Sequence, residues 1–424
     1  MKIRGIALGC KVNTYENEYI LSTFLDHGYE IVNDKADVYV INTCSVTNNS
    51  DAKSRKVINR IARENPDSII VVMGCFIEAN KDYDNPDIDI IIGNKDKNRV
   101  YELVEDYIKN KEKKKLLYDD FDKKFEDMFI KNMSSRTRAF VKIQDGCENF
   151  CSYCIIPFTR GKCRSKDKDT VLDEIKCLTN NGYQEVVLTG IHTGHYGEDS
   201  GVTFPSLLEE IIKIKKLKRL RISSIEITEL NDDFIKVFKN SDIIVPHLHI
   251  PLQAGSDPIL KSMNRKYDLD YYRNKIKELR SVKPDLSITT DIIVGFPGET
   301  DELFNETLSF AREIGFSKIH VFPYSRRHGT KADLMPNQID ERIKKERVSK
   351  LIELSNELEH NYLDKFINKN VEILVETIKD GVSTGHTGNY LEVKVNKELE
   401  HNKMYNVIIK KREENYLIGE VYEN

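Results

Sequence analysis

Residues 146–154 read Gly-Cys-Glu-Asn-Phe-Cys-Ser-Tyr-Cys, a C-x3-C-x2-C run made by Cys147, Cys151 and Cys154. A strand-like run, residues 139–144, leads into it. Thiolates hold iron–sulfur clusters, usually four to a cluster. Three thiolates can grip three corners of a [4Fe–4S] cube and leave the fourth iron open to a substrate. An open position of this kind marks a catalytic metal site. A zinc knuckle and three buried thiols are the alternatives. A structural zinc site wants four ligands in paired arrangement, and no second pair follows at that spacing.

The other cysteines are Cys10, Cys44, Cys75, Cys163 and Cys177, so the last 247 of the 424 residues have none. A secreted disulfide framework would not be distributed this way. The start, Met1-Lys2-Ile3-Arg4-Gly5-Ile6, runs into Lys11 and Asn13 without a long apolar core. The longest apolar run, residues 69–77, is far short of a membrane span. A reducing cytoplasm is the expected compartment, and there clustered cysteines bind metal or catalyse. A net charge of −4 excludes a globally basic nucleic-acid binder, so an RNA partner must be met by a local patch.

The pattern predicts a multidomain α/β chain. In residues 1–110, apolar runs at 3–8, 38–41, 69–73 and 88–92 alternate with helical patterns at 15–27 and 52–64. Such runs argue a parallel sheet covered on both faces. Cys10, Cys44 and Cys75 each follow the carboxyl end of a predicted strand, the edge where open α/β sheets bind ligands. Three thiols in register can converge on a second iron–sulfur cluster. The alternative is three small buried side chains. Residues 111–138, with Lys111-Glu112-Lys113-Lys114-Lys115 and a mixed-charge stretch ending at Arg136-Thr137-Arg138, read as a solvated connection.

Residues 139–365 repeat strand and helix. Six βα units favour a parallel barrel or an open part of one, with chemistry on the loops after the strands. The cysteine loop follows the first of these strands. Later strand ends carry Thr189-Gly190, Ser223 with Glu226, Gln253 and Val294, which places a large polar ligand on one rim. Residues 338–365 form an amphipathic helix with a charged outer face. The strip from Arg160 through Lys162 and Arg164 to Lys168 has five bases and one acid. It is either a solvated face or a set of phosphate contacts to a nucleic-acid substrate. Cys177 reads as packing on a helix, and Cys163 has no motif. In residues 366–424, short strands with interspersed glycines predict a small OB-like β-barrel, a fold that often binds RNA.

Cys147–Cys154 resembles the cluster loop of the radical S-adenosylmethionine superfamily. Leu8-Gly9-Cys10-Lys11-Val12-Asn13, Asn42-Thr43-Cys44 and Met73-Gly74-Cys75 resemble the amino-terminal domain of its methylthiotransferases. Cys151-Ser152-Tyr153-Cys154-Ile155-Ile156-Pro157 with Arg160-Gly161 resembles their radical core, and the last sixty residues their TRAM domain. The resemblance implies two [4Fe–4S] clusters, one on Cys147, Cys151 and Cys154 and one on Cys10, Cys44 and Cys75. It implies two S-adenosylmethionines, one giving the methyl group and one the radical. The strand-end residues above would line the S-adenosylmethionine pocket. Partners would be the anticodon loop of tRNA, an electron donor and a sulfur donor, with the protein a monomer.

Three branches compete: N6-isopentenyladenosine in tRNA, N6-threonylcarbamoyladenosine at position 37 of tRNA, and an aspartate of a ribosomal protein. Gly9-Cys10-Lys11-Val12-Asn13-Thr14-Tyr15-Glu16, Thr189-Gly190-Ile191-His192-Thr193-Gly194 and His247-Leu248-His249-Ile250 look most like the threonylcarbamoyladenosine branch. The isopentenyl branch tends to have Gln-Met where this chain has Lys11-Val12. Ala254 departs from the Ser usual after Gln253. Beside this reading stand a radical enzyme with one cluster and a non-catalytic RNA-binding iron–sulfur protein.

Overall fold

β-Branched runs separated by amphipathic stretches fold the first part of the chain into a parallel sheet. In the computed structural model, which describes residues 1–121, 124–133 and 137–422, this part contains β1 (Lys2–Ala7), α1 (Lys11–Asp26), β2 (Glu30–Ile31), β3 (Val38–Thr43), α2 (Asn48–Glu64), β4 (Ile69–Gly74), α3 (Cys75–Ala79), β5 (Ile90–Ile92), α4 (Val100–Asn110) and β6 (Lys114–Leu116). The strand order is β2-β1-β3-β4-β5-β6, all parallel. β3 and β4 are buried throughout. Apolar clusters cover both faces, which is why these strands read as unbroken apolar runs. Strand order reverses between β1 and β3, where such sheets open a ligand crevice.

The sheet extends into the stretch expected to be a solvated connection. Lys114–Leu116 pairs with β5 as the edge strand, a position where lysines discourage further pairing. Further on, Met128, Ile130 and Met133 sink into the central core. Residues 122–123 and 134–136, Arg136 among them, lie outside the described residues.

The central part contains β7 (Arg138–Lys142), β8 (Gln144–Asp145), α5 (Ile156–Arg160), β9 (Arg164–Ser165), α6 (Lys168–Asn180), β10 (Glu185–Thr189), α7 (Phe204–Ile211), β11 (Arg219–Ile222), α8 (Asp232–Asn240), β12 (His247–His249), α9 (Asp257–Ser262), α10 (Leu269–Val282), β13 (Ser287–Val294), α11 (Asp301–Ile314), β14 (Lys318–Pro323) and α12 (Glu341–Asp364). β7, β10 and β11 form one parallel sheet and β12, β13 and β14 another. Parallel bridges from Leu220 to Ile244 and from Ser224 to His249 join them into one arc of six strands. α5 and α9 span five and six residues, too short to show a helical period in sequence. Lys344 and Arg347, read as part of the charged outer face of α12, are buried. Arg347 donates to Glu299 Oε1 at 2.8 Å and Asp301 Oδ1 at 2.8 Å.

β15 (Asn370–Lys379), β16 (Val382–Thr387), β17 (Glu392–Val395), β18 (Met404–Glu413) and β19 (Tyr416–Val421) close a barrel in the order β15-β16-β17-β19-β18. It docks at the amino ends of the arc strands. Arg219, the first residue of β11, donates to Glu372 Oε1 at 3.0 Å and to the His386 carbonyl at 3.0 Å. The amino-terminal sheet packs on the arc through α1, whose Tyr15 lies in the central core and donates to Glu174 Oε1 at 2.8 Å. A second clasp is Arg327, after β14, which donates to Asp51 Oδ2 at 2.8 Å and Ser45 Oγ at 2.6 Å. Among the described residues, no helix is long and apolar enough to cross a membrane.

Candidate active site

The C-x3-C-x2-C loop is held at both ends. β8 pairs antiparallel with β9, Gln144 opposite Ser165 and Asp145 opposite Arg164. Gly146 turns the chain at φ +79°, and a Cβ there would lie 1.9 Å from the Lys162 carbonyl oxygen. Only glycine tolerates this approach. Inside the loop, Ser152 N–H donates to the Met263 carbonyl at 3.0 Å, and its Oγ donates to the Ser262 carbonyl at 2.8 Å.

The thiols have anion-stabilising neighbours. Arg265 Nη1 donates to Cys151 Sγ at 3.2 Å, while its Nη2 binds Glu226. His192 Nδ1 lies 3.5 Å from Cys147 Sγ. Burial pushes the Cys147 and Cys154 thiols up to about 12, against backbone N–H groups of Asn149 and Ile156 that favour the thiolates. A bound metal must displace their protons. The donor set therefore fits an anionic thiolate-held cluster.

Cys10, Cys44 and Cys75 come together at the carboxyl ends of β1, β3 and β4, beside the reversal in strand order. Gly9, at φ +95°, lets the Cys10 loop close on Cys44, whose Sγ would lie 2.6 Å from a Cβ at Gly9. Asn13 Nδ2 ties the loops by donating to the Leu8 carbonyl at 2.7 Å and the Thr43 carbonyl at 2.9 Å. Burial raises the Cys10 and Cys44 thiols, and the nearby Cys75 sulfur raises both further. Cys10 is nevertheless exposed as a residue. Asn94 Nδ2 and Arg160 Nε donate to Cys75 Sγ at 3.4 and 3.3 Å. Tetrahedral zinc would draw its sulfurs to about 3.8 Å of one another. Among the described residues, groups whose ligand atoms close to within 4.8 Å are His192 with His195 and Glu229, and His249 with Asp291 and His320. Neither cysteine trio is among them, so neither set of three sulfurs closes to within that distance.

Arg160 and Arg164 do not present themselves to a phosphate. Arg160 is fully buried and Arg164 nearly so. Arg160 Nη1 donates to Glu16 Oε1 at 3.0 Å and Asp145 Oδ1 at 3.1 Å, and Nη2 to Asn13 Oδ1 at 2.8 Å. Arg164 lies 3.7 Å from Asp145. Lys166 is also buried, bound to Glu174 and to the Met128 carbonyl. Of the three bases expected to bind substrate, only Lys162 is exposed. The strip turned inward because its acidic partners, Glu16 above all, lie far away in sequence. Lys142 and Lys97 complete the network, donating to Glu16 at 2.9 and 2.5 Å.

The expected S-adenosylmethionine residues end successive arc strands. Thr189 is buried at the end of β10, and Gly190 packs against Gln144. Ser223 Oγ lies 3.3 Å from Thr193 Oγ1. Glu226 is held by Arg265 beside Cys151. Gln253 has φ +67°, and its side-chain amide makes no hydrogen bond among the described residues. Val294 is different: its side chain is in the central core and its carbonyl accepts from Tyr324 N–H at 2.8 Å. It supports the rim rather than facing a ligand. Sequence reasoning missed Arg265 and Asn94, which stand in no motif, and gave Glu16 no role. Cys163 is buried and donates to the His195 carbonyl at 3.3 Å.

A thiol loop on the carboxyl rim of a six-strand parallel arc defines a radical S-adenosylmethionine enzyme. Residues 141–311 match the Radical SAM superfamily and residues 2–93 match Uncharacterized protein family UPF0004. The threonylcarbamoyladenosine tRNA methylthiotransferase MtaB of Bacillus subtilis is 44% identical over 398 residues, covering 91% of this chain and 88% of that one. The protein of the same name from Aquifex aeolicus is 37% identical, covering 96% and 100%. A tRNA-2-methylthio-N(6)-dimethylallyladenosine synthase of Acetivibrio thermocellus is 34% identical, covering 89% and 82%. The chain belongs to the methylthiotransferase family of radical S-adenosylmethionine enzymes. In fold alone it is similar to the radical S-adenosylmethionine methyltransferase TsrM of Kitasatospora setae, with TM-score 0.57 and 12% identity over 78% of this chain and 76% of that one.

Proposed function

We propose that this enzyme adds a methylthio group at C2 of N6-threonylcarbamoyladenosine at position 37 of tRNA. The observation that carries the reading is the pairing of two cysteine trios at the carboxyl rims of two sheets that meet across Arg160. Identities of 44% and 37% to two relatives named for the threonylcarbamoyl base, against 34% to 36% for those named for the dimethylallyl base, support the choice of substrate. Cys147, Cys151 and Cys154 would hold one [4Fe–4S] cluster, and Cys10, Cys44 and Cys75 a second.

S-adenosylmethionine on the first cluster supplies radical chemistry that can open an unactivated C–H bond. The protein's part is to bind and orient. Arg265 neutralises charge at Cys151 and fixes Glu226 on the rim. Gln253 offers a free amide there. Arg160 and Asn94 donate to Cys75 and steady the second trio. The arc acts as a partial (β/α)6 barrel and the terminal barrel as a TRAM-type RNA module, with boundaries near residues 110, 138 and 365. A monomer in the cytoplasm, served by an electron donor and a sulfur donor, completes the reading.

Mass spectrometry of tRNA nucleosides from cells lacking the gene tests it. The 2-methylthio form of N6-threonylcarbamoyladenosine should disappear and return on complementation. Its persistence, with loss of the isopentenyl counterpart instead, would move the enzyme to the other tRNA branch.

A further inference from the structure

A cavity of about 630 Å³ runs from the Cys10 loop into the interior of the six-strand arc and ends at Glu376 and Tyr390 of the terminal barrel. This size is ordinary for a site that encloses a small organic group. Three units of the chain form its walls, and Cys10 itself is one of them. A base held here therefore lies against the second thiol trio.

The cavity is rich in cations, but nearly all are already matched. Arg138 donates to Glu376 Oε2 at 2.8 Å and lies over the Tyr390 ring. Arg221 spends its guanidinium on Glu185 Oε1 at 2.6 Å and on the Thr387 and Gly388 carbonyls at 2.9 and 2.8 Å. Lys318 donates to Glu359 Oε1 at 3.0 Å. His249 is held between Thr289 Oγ1 at 2.9 Å and Asp291 Oδ2 at 3.2 Å. Lys11 has no hydrogen bond or ion pair among the described residues, and it lines the same cavity. One unspent positive charge remains in a site lined by protein.

We propose that Lys11 reads the carboxylate of the threonyl group on the substrate base and so excludes bases with an uncharged N6 substituent. The inference rests on the proposed function, since it takes the threonylcarbamoyl base as substrate. Threonylcarbamoyl carries one carboxylate and one hydroxyl. Lys11 supplies the matching charge, and Thr14, whose hydroxyl makes only a 3.4 Å bond to the Cys10 carbonyl, supplies a hydroxyl partner on the same wall. An isopentenyl group would leave the ammonium unmatched and set apolar carbon against it. A site built for a polar group rejects the analogue lacking it more strongly than an apolar pocket rejects an added polar group.

The test uses reconstituted holoenzyme under anaerobic conditions. The ligands are anticodon stem–loop RNAs carrying N6-threonylcarbamoyladenosine, its carboxylate methyl ester, or N6-isopentenyladenosine, with binding read by fluorescence anisotropy. The wild-type protein should bind the acid about tenfold more tightly than the ester. Lys11→Gln should bind the acid only as well as the ester, with ester binding unchanged, and Lys11→Arg should restore the preference. Equal wild-type affinity for acid and ester would overturn the proposal, as would a preference that survives in Lys11→Gln. The wild-type comparison decides alone if Lys11→Gln fails to load iron to the wild-type level. Turnover separates the two ideas: an enzyme that methylthiolates the acid RNA without preferring acid to ester keeps its function and loses this inference. One that methylthiolates only the isopentenyl RNA loses the function itself.

Discussion

Arg160 Nε lies 3.3 Å from Cys75 Sγ, although the two residues are 85 positions apart and sit on different short helices, α5 and α3. The same guanidinium binds Asp145, two residues before Cys147. One buried side chain thus touches one cysteine trio and anchors the strand that leads to the other.

Removing that side chain should be costly. Arg160→Ala would take from buried Glu16 and Asp145 one of the two cations they share, leaving Lys142 to bridge them at 2.9 and 2.7 Å. Breaking a buried charge network typically costs about 3–5 kcal/mol. The expected result is a large fall in melting temperature and, on the two-cluster reading proposed above, loss of up to about half the bound iron. Arg160→Lys keeps the charge but not the planar fork and should fall between. A melting temperature and iron content equal to wild type in Arg160→Ala would show that the guanidinium holds nothing together.

The same network gives the enzyme an acid limit. Burial alone would raise the Glu16 carboxyl, but Arg160, Lys142 and Lys97 outweigh it and hold Glu16 well below its ordinary value of 4.5. A depressed folded value means that the stabilisation is complete above the unfolded value and is lost as pH falls below it towards the folded one. Melting temperature should therefore drop as pH is lowered from about 4.5. Glu16→Gln should be less stable at pH 7 and should show a shallower fall over that acid range. Parallel wild-type and variant curves below pH 4.5 would remove Glu16 as the cause.

Gly146 makes a sharper geometric prediction. Its φ of +79° and the 1.9 Å approach to the Lys162 carbonyl leave no room for a methyl group. Gly146→Ala must move the cysteine loop, and a displacement near 1 Å at a reacting centre can cost about 10²-fold in rate. Production of 5′-deoxyadenosine should fall by roughly that factor. Gly182, also at positive φ with +98°, has nothing within 4 Å of an added Cβ. Gly182→Ala should cost only backbone strain, about 1–3 kcal/mol, and leave the rate near wild type. Equal rates for the two variants would mean that the loop tolerates the shift.

The sheets and the cysteines were legible because both have local signatures. Apolar runs of buried parallel strands and ligand spacings need only a few consecutive residues. Charge partners do not work this way. Arg160, Arg164 and Lys166 looked like a basic strip because Glu16 and Glu174 are matched to them only by folding. Lys344 and Arg347 on α12 misled for the same reason. The connection after residue 110 looked solvated because its charged residues outnumber its apolar ones, yet Met128, Ile130 and Met133 are spaced widely enough to reach the core without any period. Lys11 stands in a legible motif, but the cavity that gives it meaning is built from three separate units of the chain.

Arg221 is the joint between the arc and the terminal barrel. Its Nε donates to Glu185 within the arc, while Nη1 and Nη2 donate to the Gly388 and Thr387 carbonyls of the barrel. The Tyr390 ring stacks beneath it, 4.8 Å from the guanidinium carbon. Arg221→Met keeps the length of the side chain but strips Glu185 of its nearest cation and leaves the Gly388 carbonyl without its donor, while the Thr387 carbonyl keeps the Tyr390 N–H at 3.1 Å. Each unsatisfied buried group costs about 1–3 kcal/mol. The terminal barrel should loosen, and limited proteolysis should cut faster between α12 and β15, residues 365–369, than in wild type. Adding Glu185→Gln should recover part of the loss, since a buried charge without its partner is worse than an uncharged pair. Arg219 lies 3.6 Å from Glu185 and Arg138 3.9 Å, so the recovery measures how far these two compensate. An unchanged cleavage rate in Arg221→Met would assign the docking to Arg219 and its bond to Glu372 instead.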